Sequence, residues 1–513
     1  MAIQGRSRKG IIEQPAGGGI VADEVSHEAS EPQWTIGLNV RFRDGYLRKT
    51  EGYLTTLSTP PAVTTHIANL QVGGVNYWVY TSNSAIYSDT GTAQTDITGS
   101  TALTATQANK VTSAVLHGVL IVNNQADVPR YWGGSGNTAN IPGWTSTHRC
   151  QSIRTYLNYV IALNVTKGST NFGSMVKWSD VADPGSVPDS WDTADATRDA
   201  GEYSIAETDD DVVDGLPLGN VFVVYKQRSM YGMQYVQNSD IFRFFRLPGN
   251  YGALTQNCIG IIPRGHVVLT NGPDVIIHYA NEPQSIITGR LRTWLRTNID
   301  PNNYGMSFVV ANTTKAEVWV CIPTTGASYC NRALVWNYEQ DTWSIVALPN
   351  TTAGSMGLLP STDLTWEGDE ATWESDDEPW DSFDVEDRLL MSSGNTKIYV
   401  MDEGDTADGA QIAASVTRTG LTFGDAEIIK LCKGITPRVD AAPGTVLSFE
   451  PATADDVEDP HDFGAAVSYT VGTTRKADFF ANGRALGVRI SSAGAGAWRI
   501  KSMGWDVVPM GDF

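Results

Sequence analysis

One pattern recurs along the chain: a short run of β-branched and aromatic residues, a polar or glycine turn, then a second such run. It occurs about seven times. The units begin at Val75 (VNYWVYTSNSAIYSD), His117 (HGVLIVNNQADVPRYW), Leu157 (LNYVIALN, then SMVKWSD), Asn220 (NVFVVYKQRSMYGMQYV), Gly265 (GHVVLTNGPDVIIHYA), Ala316 (AEVWVCIPTTGASYCNRALVWNYEQDTWSI) and Arg388 (RLLMSSGNTKIYVMD). With Val79, Val122, Leu163, Val223, Leu269, Val320 and Leu390 taken as equivalent, successive units lie 43, 41, 60, 46, 51 and 70 residues apart. A lone hairpin cannot bury both faces or shield its edges, so such units must stack. Repeats of roughly 40–50 residues with up to four strands each are the signature of a β-propeller. The expectation is an all-β chain carrying a propeller of about seven blades, with six to eight compatible with the spacing. The two long spacings fall on polar insertions, where surface loops swell. Stacked β-sandwiches without circular closure are the competing architecture.

Closing such a ring usually borrows a strand from the other end of the array. The stretch from Gln33 to Leu54, QWTIGLNVRFRDGYLRKTEGYL, alternates like a strand pair, so residues 33–64 are expected to close the propeller or a platform, and residues 65–408 to form the propeller itself. From Gly409 the alternation continues without the paired-hairpin period, which implies a C-terminal β-sandwich over residues 409–513. Residues 1–32 read as an arm, flexible or ordered by a partner.

Composition excludes several classes. Hydrophobic residues make up 41 % of the 513, with 15 Trp, 19 Tyr and 14 Phe, so the chain is not intrinsically disordered. The 57 acidic against 36 basic side chains give a formal charge of -21, which argues against duplex DNA as an adhesive ligand. No apolar run is long enough to span a membrane, and MAIQGRSRKGIIEQPAGGG lacks the apolar core of a secretory signal, so folding in a cytoplasm is expected. Five scattered cysteines with no C-x-x-C pair (Cys150, Cys258, Cys321, Cys330 and Cys432) read as buried thiols.

Catalytic motifs are missing. There is no Walker A loop, H-E-x-x-H, G-x-S-x-G or EF-hand loop, and WGGSGNTA (Trp132 to Ala139) lies between hairpins, where a turn is the natural reading. His117, His266 and His278 sit singly in strand units, with no spacing that suggests a shared metal. Glycoside hydrolysis needs two carboxyls held on rigid elements, whereas the acids here cluster in loops: Ala206 to Gly215, Ala452 to Asp462 and Asp363 to Asp387. Solvated surface is the expectation for these loops, with calcium binding as the alternative. No catalytic residue, cofactor or metal site is assigned.

Two segments stand out as candidate contact sites. In SIITGRLRTWLRTNID, Ile287, Leu291, Trp294 or Leu295, and Ile299 fall at helical spacing, with Arg290, Arg292 and Arg296 interleaved. Such a helix serves either as core packing with solvated arginines or as a partner contact. Between Asp363 and Asp387, TWEGDEA, TWESDDE and PWDSFDV repeat in tandem and space Trp366, Trp373 and Trp380 equally among twelve acids, Asp376, Asp377 and Glu378 among them. The tryptophans dock either on the propeller's own rim or, from a projecting loop, on a neighbouring subunit, gate or receptor.

WTIGLNVRFRDGYLRKTEGY, VFVVYKQRSMYGMQYV, the segment from Gly249 to Ala280 with its basic helix, and GRALGVRI with GAWRIKSMGWDVV resemble tail nozzle or tail hub proteins of short-tailed bacteriophages, over roughly residues 33 to 510. The resemblance implies a non-enzymatic virion protein assembled in the host cytoplasm. It would form a homo-oligomer, a hexamer, beneath a portal and adaptor ring, carry tail fibres or spikes, and pass genomic duplex DNA without binding it tightly. Neither the acidic tryptophan repeat nor the arginine helix maps onto a motif of that family. A glycan-binding or glycan-cleaving propeller of the virion is one alternative, and a protein-binding propeller scaffold is another.

Overall fold

A computed structural model of the protein describes residues 8–13, 15–236, 240–359, 387–494 and 496–511. All seven aligned positions, from Val79 to Leu390, fall on the second strand of a four-stranded antiparallel unit, and each is at most 6 % exposed. The chain forms a seven-bladed propeller. The innermost strands are His66–Val72, Thr112–Leu116, His148–Tyr156, Val212–Leu218, Ile259–Ile262, Phe308–Asn312 and the second half of Thr342–Leu358.

That last strand serves two blades. Its first residues pair with Cys330–Asn337 as the outer strand of blade 6, and from Thr351 it pairs with Asp387–Ser393 as the inner strand of blade 7. Blade 7 receives its outer strand, Tyr53–Thr56, from the other end of the chain, in antiparallel register with Ile398–Met401. An edge that would otherwise stay open is thereby paired.

Packing closes the same ring. Between blades 1 and 2, Val79 and Ile86 meet Leu120, Val122 and Trp132. Comparable clusters follow round to the last, where Ile67, Trp78 and Tyr80 of blade 1 pack on Ala353, Leu390 and Val400 of blade 7. Both faces of the second strands are covered by neighbouring blades, so Val119–Asn123 and Val221–Lys226 are buried at every position.

The second domain differs from expectation. It is a sandwich of two sheets, but both ends of the chain build it. Trp498–Gly511 lies between Ile429–Ala441 on one side and Tyr46–Lys49 with Arg8–Glu13 on the other; in the facing sheet Ile36–Leu38 pairs with Ala414–Leu421. Residues 15–32 are not a loose arm. Ile20, Val21 and Trp34 are buried, and the buried Arg418 guanidinium donates to the carbonyls of Ser26 and Ala29, both at 2.7 Å. Ile20 N–H donates to Trp343 O at 2.9 Å, and a Cβ on the neighbouring Gly19 (φ +64°) would lie 2.7 Å from Trp343 N, so only glycine fits there. These apolar residues are too few to set up a period of their own, which is why their cover is visible only in three dimensions.

Nor is the sandwich a separate body. One hydrophobic core runs from Trp498, Trp505 and Phe449 of the sandwich through Trp343 to Val318 and Val267 of blades 6 and 5. A buried ion cluster reinforces the junction. Arg41 of the sandwich meets Glu317 and Asp402, each at 2.5 Å, and its guanidinium carbon lies 4.5 Å from the Trp319 ring centre. Lys315 and Arg43 join through Glu51 at 2.8 and 2.9 Å. Burial would raise the Glu51 carboxyl, but Arg41 and Lys315 override it and hold it at about 2. Among the described residues no helix is long and apolar enough to cross a membrane.

Candidate functional site

At the end of the ring where the innermost strands begin, all seven blades contribute to a cavity of about 1110 Å³. Its wall is dominated by carboxamides, with two cations, Lys110 and Arg149, and one carboxylate, Asp211. The backbone is bent to make this wall. A β-bulge between Leu163 and Val165 puts Asn164 at φ 53°, and Gln125 sits at φ 66°. Bulges and left-handed non-glycine residues are costly local choices that concentrate next to functional sites.

The amides are wired. Asn171 Nδ2 donates to Asn164 Oδ1 at 2.9 Å, and Asn164 Nδ2 donates to Gln151 Oε1 at 2.6 Å and to Val212 O at 3.0 Å. The Val212 carbonyl can only accept, so it fixes the orientation of all three amides and leaves Gln151 Nε2 for the cavity. Thr255 Oγ1 donates to Gln256 Oε1 at 3.0 Å, and Gln256 is only 4 % exposed. Gln125 Nε2 donates to Lys110 O at 2.8 Å.

Two cations close the axis at the base of this cavity. Lys110, entering blade 2, donates to Gly305 O at 3.1 Å and to Ser307 O, at the entry to blade 6. Arg154 on blade 3 donates to Ser113 O of blade 2 (2.8 Å), to both carboxylate oxygens of Asp214 on blade 4 (2.8 and 2.7 Å), and to Asn257 Oδ1 at the entry to blade 5 (2.8 Å). Blades 2 and 5 stand nearly opposite in a ring of seven, so a guanidinium within hydrogen-bond reach of both lies on the axis. Burial would raise the Asp214 carboxyl, but Arg154 overrides it and holds it below the usual carboxylate range. Asp214 was expected in a solvated loop. It instead belongs to strand Val212–Leu218 and is fully buried, because that strand's inward face points at Arg154.

The other sequence-derived candidates lie elsewhere. Trp366, Trp373, Trp380, Asp376, Asp377 and Glu378 fall outside the described residues. The basic helix α1 spans Arg292–Asn298, with Leu291 and Leu295 buried in the core beside Ile287 and Ile299. Its arginines are engaged within the chain: Arg290 with Gly18 O (3.0 Å) and Asp341 (3.3 Å), Arg292 with Asp274 (2.9 Å), and Arg296 with the carbonyls of Pro273 and Gly272 (3.2 and 3.3 Å).

His266 and His278 were read as isolated, yet both are buried on Tyr225. The network assigns Ala280 N–H to His278 Nδ1 (3.3 Å), His278 Nε2–H to Tyr225 Oη (2.5 Å), Tyr225 O–H to His266 Nδ1 (2.7 Å) and His266 Nε2–H to Pro217 O (3.0 Å). This pattern requires both imidazoles neutral, and burial lowers each to about 4. All five cysteines are buried and free, and burial pushes the Cys258 and Cys432 thiols up to about 11. Among the described residues no group of three or more His, Cys, Asp or Glu side chains is placed to hold a metal ion.

Around one axis stand seven four-stranded blades, closed by strand exchange and by packing. The protein is a β-propeller. No family profile and no curated protein matches this chain. Among solved structures it is similar to the computationally designed Ika8 protein (11 % identity, TM-score 0.37, 69 % of this chain and 99 % of that one) and to BamB from Moraxella catarrhalis (11 %, 0.34, 71 % and 93 %). It is also similar to YCF48 bound to D1 peptide (11 %, 0.38, 69 % and 95 %).

Proposed function

We propose that this propeller protein is a structural subunit of a short-tailed phage tail, a nozzle or hub whose copies assemble, as six, into a ring below the portal and adaptor. The observation that carries the reading is the fusion of propeller and sandwich through one core and one buried ion cluster. A subunit of a pressurised conduit must not hinge between its domains, and close-packed interiors transmit strain rather than absorb it. The segments that carry the family resemblance also meet in space: strand Tyr46–Lys49, from the first of them, pairs with Trp498–Gly511, from the last.

In this reading the conduit lies between subunits. Arg154 and Lys110 block the axis of each propeller, and a duplex whose major groove alone is about 12 Å wide has no path through it. The chain's negative charge then keeps affinity for passing phosphates low.

The test is assembly. The purified chain, mixed with the portal and adaptor proteins encoded beside it, is expected to form sixfold rings in electron micrographs. A stable monomer indifferent to both proteins would refute the reading.

A further inference from the structure

The axial cavity has a chemistry that the tail reading leaves unused, and the inference drawn from it is independent of that reading. Its volume exceeds the roughly 300–1,000 Å³ typical of small-molecule sites, but its wall is not the apolar wall such sites usually have. Each carboxamide offers a donor and an acceptor side by side, which is what a sugar hydroxyl, itself donor and acceptor, pairs with.

The pre-set orientation adds a bias toward donors. Gln151 Nε2 faces the cavity because the relay from Asn171 through Asn164 occupies its oxygen. Gln256 Nε2, on a side chain more than nine-tenths buried, makes no hydrogen bond among the described residues, while its oxygen accepts from Thr255. Lys110 uses two of its three N–H groups on carbonyls. Arg149 is anchored through Nε to Ala126 O (2.5 Å) and through Nη1 to Ser146 O (2.7 Å), which leaves Nη2. Two cations face one carboxylate here, in a chain of formal charge -21. Tyr304, exposed among the lining residues, supplies a ring face for stacking.

We infer that this cavity binds an acidic oligosaccharide, with hydroxyls on the amides and a carboxylate near Lys110 and Arg149. The site binds and does not cleave, because Asp211 is the only carboxylate among its lining residues and hydrolysis needs two. An acidic peptide is disfavoured, since the wall offers few apolar surfaces to receive its side chains.

The test is calorimetric titration of the full chain with 3′-sialyllactose and tetragalacturonate. Lactose, methyl-esterified tetragalacturonate and tetraglutamate serve as counterparts. At least one acidic saccharide is expected to bind, with its neutral counterpart at least about tenfold weaker, as expected for loss of one charge-assisted contact. Gln256→Leu should weaken binding about tenfold. The near-isosteric Gln151→Glu, which sets a carboxylate against the ligand's own, should abolish it. Should Gln256→Leu lower the thermal midpoint, Asn171→Leu, at an exposed position, removes a different lining amide without touching Gln256 and is expected to weaken binding as well. Three results overturn the inference: no binding of either acidic saccharide at about 5 mM, neutral counterparts or tetraglutamate bound as tightly, or affinity unchanged in Gln151→Glu.

Discussion

Replacing Arg154 by methionine removes the charge from the propeller axis while keeping most of the side-chain volume. Asp214 would retain three donors, Ser152 Oγ (2.6 Å), its neighbour Gly215 N (2.9 Å) and Asn257 N (2.9 Å), but no counter-charge, at a position with no solvent exposure. Breaking one side of a buried ion pair costs about 3–5 kcal/mol. With a urea dependence of about 3 kcal/mol per molar, the unfolding midpoint followed by tryptophan fluorescence should fall by about 1 to 1.7 M. The pH dependence gives the mechanism. In the wild type the Asp214 carboxyl is held below its unfolded value, so its contribution is present at neutral pH and lost as pH falls through the acid range. In the variant burial is opposed only by the remaining hydrogen bonds, so that carboxyl rises relative to wild type and the native state takes up a proton more readily than the wild-type fold does. The deficit is therefore largest at neutral pH and shrinks toward pH 5. Adding Asp214→Asn should recover about 2 kcal/mol. A single variant within about 1 kcal/mol of wild type, or a deficit that neither acid nor Asp214→Asn relieves, would show that Arg154 is not what holds these blades together.

At the domain junction, Arg41→Leu leaves Glu317 and Asp402 buried without their shared cation. It should destabilise by about 3–5 kcal/mol and open the segment between residues 50 and 65 to limited proteolysis, whereas Arg499→Leu, at an exposed pair, should change stability by less than about 1 kcal/mol. The buried imidazoles predict acid sensitivity. His266 and His278 titrate at about 4 and His66 at about 3 in the fold, below the unfolded value, so stability declines as pH falls below about 6.5 and levels off near those values. His266 and His278 each account for about 3 kcal/mol, and Tyr225→Phe with His266→Gln should flatten the pH 4–6.5 limb measured by urea denaturation. Leu358 and Asp387 are register partners in blade 7, so residues 359–386 can be replaced by an Asn-Gly turn. The thermal midpoint should stay within about 2 °C, while genome retention or ejection by the assembled particle changes. Unfolding of that variant would place the tryptophans in the core.

Much of the architecture was legible because it is written locally. The seven hairpin units and their spacing follow from two-residue alternation punctuated by turns, and the positions aligned by pattern are the ones buried on the second strands; of the stretch expected to close the propeller or a platform, Ile36–Leu38 and Tyr46–Lys49 build the sandwich and Tyr53–Thr56 closes blade 7. Asp214 was hidden by its acidic neighbours in AETDDDVVDG, and a β-bulge between Val212 and Asp214 breaks the two-residue parity that would have placed it on a strand face. Arg154, in step with Ser152 and Tyr156, carried only a faint signal. No motif announced the axial cavity, because each blade contributes only a few polar residues, some at the start of its inner strand and others where its second strand turns into its third.

Alternation and repeat length, then, determined by themselves that this chain is all-β and built of about seven repeated hairpin units, since each unit's pattern lies within its own stretch of sequence; closure into a ring of seven blades, the last completed by Tyr53–Thr56, was decided by the tertiary structure. Only the tertiary structure decided that both chain ends build the sandwich, that Arg154 finds Asp214 on the axis, and that an amide-lined cavity faces outward above them. Those contacts join residues tens to hundreds of positions apart, and they depend on strand register and on the angle through which the ring closes, neither of which any local stretch of sequence encodes.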